Sequence, residues 1–124
     1  MKRRALGAAG ERKAARHLRR HGLRIIARNW RCKQGELDIL ARDGEVLVVV
    51  EVRTASGHRP YAGAPELTVG PRKQARLMRL TQRWLARQSW QPRGVRFDVI
   101  GVTRQRAFRW SLRWYQHAFE YSEA

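Results

Sequence analysis

At 124 residues the chain has room for one domain, 1–124, and no second. With 43% hydrophobic and 30% charged residues it can bury a core, which excludes a wholly disordered chain. Lys and Arg total 27 against 10 Asp and Glu, a net charge of +17, so the expected partner is a polyanion, most simply nucleic acid. The single cysteine, Cys32, excludes an internal disulfide and a Cys-rich zinc module.

The basic start, Met1 to Arg4, leads into Ala5–Gly10, too short and weakly apolar for a signal-peptide core. The longest strongly apolar run, Val46–Val50, falls far below the ~20 residues of a membrane helix. A cytoplasmic protein with no membrane partner is the expectation.

Leu6–His21 reads as a helix with Leu6, Glu11, Ala14, Ala15 and Leu18 on one side. Arg12, Arg16, Arg19 and Arg20 lie mostly elsewhere on it, the first three expected to contact nucleic acid, and Gly22 stops it. Leu23–Trp30 is a first strand, with Cys32 in the loop after it. Glu36–Arg42 and Glu45–Arg53 form a hairpin about Asp43-Gly44, and the continuous run Val46–Val50 marks a central strand. Thr54–Pro71, with Pro60, Pro65 and Pro71, reads as a loop. Arg72–Gln88 is an amphipathic helix with Leu77, Leu80, Trp84 and Leu85 inward. Arg72, Arg76, Arg79, Arg83 and Arg87 recur along it without one acid between them, which favours phosphate contact over a merely solvated face. Val95–Thr103 and Phe108–Tyr115 close the chain as strands. The order αβββαββ predicts a mixed sheet flanked by helices, with a crossover through the second helix from the third strand to the fourth.

Carboxylates are few and therefore informative. With Asp43-Gly44 as the hairpin loop, Arg42 faces Glu45, Asp38 faces Val49 and Glu36 faces Glu51. Alternation then places Glu36, Asp38, Glu51 and Arg53 on one face, with Asp38 and Glu51 diagonal neighbours about 7–8 Å apart. Two such carboxylates either share a hard cation such as Mg²⁺, or each pairs with an arginine. Glu11 reads as a salt bridge or a helix-start carboxylate. His17, His21, His58 and His117 show no ligand spacing. Trp30 and Trp84 read as core; for Trp90, Trp110 and Trp114 packing is the plainer reading beside stacking on bases.

An ordered set of short motifs carries a resemblance. It runs through Gly10-Glu11 with Ala14 and Leu18, Ala27-Arg28-Asn29-Trp30, Gly35-Glu36-Leu37-Asp38-Ile39, Val50-Glu51-Val52-Arg53-Thr54, Lys73, Arg96-Phe97-Asp98-Val99 and His117-Ala118-Phe119. With these the chain resembles the YraN-type bacterial proteins, placed with the restriction-endonuclease-like PD-(D/E)XK nucleases and similar to archaeal Holliday-junction resolvases. The resemblance implies an αβββαβ nuclease core, Glu11, Asp38 and Glu51 as the acidic cluster, and Asp38 and Glu51 as ligands of Mg²⁺ or its substitute Mn²⁺. It further implies DNA as partner, branched or otherwise unusual DNA as substrate, and a homodimer if two strands are cut. Asp98 takes a structural role. Arg53 stands where the superfamily has lysine; arginine keeps its proton and cannot act as a base, so Lys73, on the inward side of the second helix, is the alternative catalytic cation. Two rival functions follow: a nucleic-acid-binding module with the nuclease fold but impaired catalysis, and a basic RNA- or ribosome-associated protein.

Overall fold

The computed structural model describes residues 2–57, 68–106 and 108–121. The elements are α1 (Arg3–Arg20), β1 (Arg24–Cys32), β2 (Gly35–Asp43), β3 (Val46–Ser56), α2 (Pro71–Leu85), β4 (Gly94–Arg106) and β5 (Arg109–Phe119). They follow the order expected from hydrophobic periodicity. The strands form one sheet in the order β1-β2-β3-β4-β5, antiparallel except that β3 and β4 run parallel. The parallel step is the one bridged by α2, since parallel neighbours cannot be joined by a tight turn. This is a mixed α/β architecture.

The two helices cover opposite faces. Leu47 and Val49 of β3 pack with Leu77, Leu80 and Trp84 of α2, whereas Val48 and Val50 pack with Ala14, Ala15 and Leu18 of α1. A strand covered on both faces must be apolar at every position, which explains the unbroken run from Leu47 to Val50. α1 ends where Gly22 was expected to stop it. The Leu23 N–H bonds to the Leu18 carbonyl and the Gly22 N–H to that of Arg19, the paired closure of a Schellman motif.

Four local expectations are corrected. The hairpin loop is Gly44-Glu45, not Asp43-Gly44: Asp43 pairs with Val46 and Leu40 with Val49. Gly44 has φ 59° and takes the first central turn position, where a positive φ admits glycine at least cost. Arg42 therefore does not face Glu45 across the ladder; it reaches past the turn to the Glu45 carboxylate at 2.9 Å. Glu36 lies opposite Arg31 on β1, not opposite Glu51, and pairs with it at 3.0 Å. Finally, Thr54–Ser56 belong to β3 and Pro71 opens α2, because pairing with β4 carries the strand on to Ser56↔Arg104. Cys32 likewise ends β1 rather than lying in a loop. Residues 58–67 of the expected loop, with His58, Pro60 and Pro65, lie outside the described residues.

Of the two buried carboxylates among the described residues, Glu11 and Asp98, Asp98 is the more deeply buried. Only 1% exposed, it accepts a fork from Arg96 at 3.0 and 3.1 Å, the Trp114 indole N–H at 2.8 Å and the His117 backbone N–H at 3.1 Å. Arg96 also reaches Asp43 at 3.3 Å, tying the β2–β3 hairpin to β4. Every such donor lowers the cost of keeping a charge inside.

α1 meets β3 with almost no space between them. A Cβ added at Gly10 would lie 2.1 Å from Thr54 Oγ1 and 2.9 Å from its Cβ. Glycine at this position lets α1 descend far enough for the next residue, Glu11, to reach the sheet. Gly10→Ala is expected to destabilise the protein by about 1–3 kcal/mol, the usual range for overpacking. Thr54→Ala in the same chain should restore part of that loss, because it removes the two nearest clashing atoms. Urea unfolding of the single and double variants checks this, with non-additivity as the signature of the contact.

Candidate metal and phosphate site

The site lies where β2 and β3 stop pairing. The ladder ends at Ile39↔Val50, and Leu37 and Leu40 both pack under α2, so strict alternation along β2 breaks between them. Asp38 stands in that break. Asn29, its neighbour on β1, has φ 52°, a second departure from regular strand geometry at the same place. With no ladder partner left, the Val52 N–H donates to Asp38 Oδ2 at 2.9 Å, so the side chain replaces a backbone bond.

Asp38 and Glu51 line the same cavity. Burial, then hydrogen bonding with Glu51 and the Glu51 charge, push the Asp38 carboxyl up to about 8, against the opposing Val52 donor and with a smaller push from Glu11. The setting sharpens the point. Glu11, Glu36, Asp43, Glu45, Glu51 and Asp98 each have a Lys or Arg partner. Asp38 has none among the described residues, in a chain with 27 Lys and Arg.

Lys73 enters from the first turn of α2 and its ammonium pairs with Glu51 Oε2. Asp38, Glu51, Lys73 and Arg76 line an open cavity of about 230 Å³ on the α2 side of the sheet. A larger cavity, about 540 Å³, opens on the α1 side and is lined by Glu11, Asn29, Glu36 and Asp38 together with Arg3, Arg4 and Arg31. Asp38 and Glu36 border both. Glu11 is 8% exposed; its Oε1 has Arg28 Nε at 3.5 Å, too long for a strong bond, and burial raises its carboxyl above the ordinary range against the pull of Arg28.

The structure thus brings Asp38, Glu51 and Lys73 together and sets Glu11 on the opposite side of Asp38. Arg53, two residues beyond Glu51, shares its face by alternation and is half-buried, but the cavity wall is formed by Lys73 and Arg76. Among the described residues no three His, Cys, Asp or Glu side chains converge as a ready-made metal cage. Two carboxylates with open space beside them suit Mg²⁺, which keeps several waters and needs only one or two protein carboxylates.

Arg72, Arg76, Arg79 and Arg83 are exposed along α2, with Arg87 just past its end; Arg12, Arg16 and Arg19 are exposed on α1. Trp84 is core and Trp30 packs against it, while Trp90 is covered by the Arg42 guanidinium at 4.4 Å. Residue pattern alone did not reveal Arg28 beside Glu11 or the Val52 donor to Asp38. The Val52 contact depends on the break in β2, which leaves no mark on hydrophobic periodicity.

A paired-carboxylate cleft backed by lysine, on a strongly basic mixed α/β scaffold, is the class that fold and site define. The chain belongs to the uncharacterised protein family UPF0102, which it matches over residues 10–102. It is 52% identical over 101 residues to the UPF0102 protein of Parafrankia sp. (strain EAN1pec), covering 82% of this chain and 84% of that one. To the UPF0102 protein of Frankia alni it is 53% identical over 100 residues, covering 81% and 82%. That of Mycobacterium avium (strain 104) is 52% identical over 99 residues, covering 78% and 76%. Glu11, Asp38, Glu51, Lys73 and Asp98 all fall inside the matched span. Among the described residues no helix is long and apolar enough to cross a membrane.

The raised Asp38 carboxyl sets a pH dependence. The unfolded chain releases this proton near 3.8 and the folded protein holds it to about 8, so folding takes up a proton in that window and stability falls as pH rises through it. Asp38→Asn keeps an acceptor for Val52 and a donor for Glu51 without the ionisation. In EDTA the variant should gain on wild type as pH rises from about 4 to 8, by at most about 1.4 kcal/mol per unit. Denaturant unfolding of both proteins across that range checks it; a constant difference would show that Asp38 is ionised throughout.

Proposed function

We propose that the protein is a Mg²⁺-dependent endonuclease of the PD-(D/E)XK type acting on DNA. The observation that carries this reading is the Asp38–Glu51 pair, two carboxyl groups that line one cavity with a lysine on Glu51. Such a pair is destabilising unless a cation shares it, and the Lys73 ammonium already stands at Glu51 as a partial substitute. Asp38 and Glu51 would hold Mg²⁺ or Mn²⁺, and the hard oxygen donors fit either ion. When bound, the ion polarises a phosphate oxygen and acidifies water.

The chain's own residues supply the rest. Lys73, beside Glu51 in the cavity, can hold the attacking water and offset charge building on phosphorus. Arg76 at the same wall can fork onto a phosphate oxygen, and the stripe from Arg72 to Arg83 extends that grip along α2. Arg53 adds positive charge near Glu51 without acting as a base. Glu11 Oε1, buried and without a hydrogen-bond partner among the described residues, can accept an O–H from water on the α1 side. Branched or otherwise unusual DNA as substrate, and a dimer that cuts two strands, follow from the likeness to resolvases.

The test is cleavage of single-stranded, duplex, flapped and four-way DNA with Mg²⁺ or Mn²⁺. Asp38→Asn and Glu51→Gln should each lower cleavage by about 100-fold or more, the scale of losing several kcal/mol of electrostatic stabilisation. Lys73→Ala should fall comparably, whereas Arg53→Lys should retain or raise activity. Cleavage that survives Lys73→Ala but dies in Arg53→Ala would move the catalytic cation back to β3. Mn²⁺ should raise the Tm of wild type and not that of Asp38→Asn. Metal binding without cleavage of any substrate would favour the binding module with impaired catalysis. RNA binding indifferent to both metal and Asp38 would favour the basic RNA-associated protein.

A further inference from the structure

Away from the acidic pair, the flank of α1 that faces β5 gathers positive charge with nothing to balance it. Lys13, Arg16, His17 and Arg20 recur at helical spacing and, with Trp110 and Ser111 of β5, line a cavity of about 200 Å³. No carboxylate contributes to its wall. None of the three cations has an ion-pair partner among the described residues. Like charges three and four residues apart destabilise a helix, so this arrangement carries a cost that packing does not explain. Lys13 is also held in place: its ammonium lies 5.2 Å from the centre of the Trp110 ring.

A second observation points the same way. Ser111 Oγ, in the wall of this cavity beside Trp110, is buried without a hydrogen-bond partner among the described residues. A buried hydroxyl left unpaired is costly, and a phosphate oxygen can accept its O–H. His17 fits the same surroundings, since burial and then the charges of His21 and Arg20 hold its imidazole below the ordinary range.

We infer that this α1–β5 cavity is a phosphate-binding site, distinct from the acidic pair and bordered by Lys13, Arg16, Arg20 and Trp110. Guanidinium forks match the oxygens of a phosphate, and an ammonium held over an aromatic ring adds a fixed point charge. The phosphate belongs either to a nucleic-acid backbone passing over α1 or to a small free phosphate compound. The site does not rest on the endonuclease reading, since no acidic residue or metal takes part.

The experiment uses the full chain in EDTA, so that metal chemistry plays no part. Tryptophan fluorescence follows titration with inorganic phosphate, against sodium chloride at matched ionic strength. Phosphate should produce a saturable change that chloride does not, equal in wild type and Asp38→Asn and absent in Trp110→Phe. Arg16→Gln/Arg20→Gln should weaken it at least tenfold; both side chains are exposed, and circular dichroism confirms that the variant is folded. Single-stranded and duplex DNA then separate the two sources. A backbone ligand predicts that the double variant flattens the slope of log affinity against log salt by about 1–2. An unchanged DNA slope with a lost phosphate response assigns the site to a small phosphate compound. A phosphate response identical in wild type and the double variant, or no response beyond that of chloride, overturns the inference.

Discussion

Asp38 accepts the Val52 N–H at the point where β2 lets go of β3, and the candidate site depends on that one substitution of a side chain for a backbone partner. Had the ladder continued, Val52 would have bonded to β2 and Asp38 would have been free to turn toward solvent or an arginine. Instead the carboxyl is pinned between the strands, against Glu51 and at the border of two cavities. Its unusual protonation follows from position: burial and a neighbouring acid act together, and a single backbone donor cannot offset them.

The rest of the fold serves to keep that place fixed. β3 is sandwiched between α1 and α2, so the strand that presents Glu51 is held from both faces. Gly10 brings α1 down onto Thr54 and sets Glu11 beside the break, while α2 begins with the turn that carries Lys73 to Glu51. On β4, level with Val50, the Arg96–Asp98 fork, with Trp114, His117 and Asp43, locks β4 to β5 and to the hairpin. The two polar clusters differ in kind. Asp98 accepts from several donors, whereas Asp38 has no cation partner among the described residues.

Charge is distributed with the same logic. A net charge of +17 would be self-repelling on a small sheet unless much of it projected outward, as it does from Arg12, Arg16 and Arg19 of α1 and from the stripe on α2. The few acids sit where a cation must be held or a turn closed: Arg42 by Glu45, Arg31 by Glu36, Arg28 by Glu11.

Much of this was legible in the residues themselves. Helical and strand periodicities, the central run Val46–Val50 and the αβββαββ order depend on local chemistry, so the architecture could be read before any contact was known. The same holds for the inward side of α2, and hence for Lys73 as a residue able to reach the sheet. What tertiary structure alone decided was register and irregularity. Moving the turn from Asp43-Gly44 to Gly44-Glu45 slid the hairpin pairing while keeping Asp38 and Glu51 near one another, and it handed Glu36 to Arg31 instead of Glu51. The break at Asp38, the approach of Gly10 to Thr54 and the gathering of Lys13, Arg16 and Arg20 beside Trp110 join residues far apart in the chain. Periodicity records which way a side chain faces relative to its own neighbours. It carries no record of which distant strand or helix will stand across from it, and that is where these sites are made.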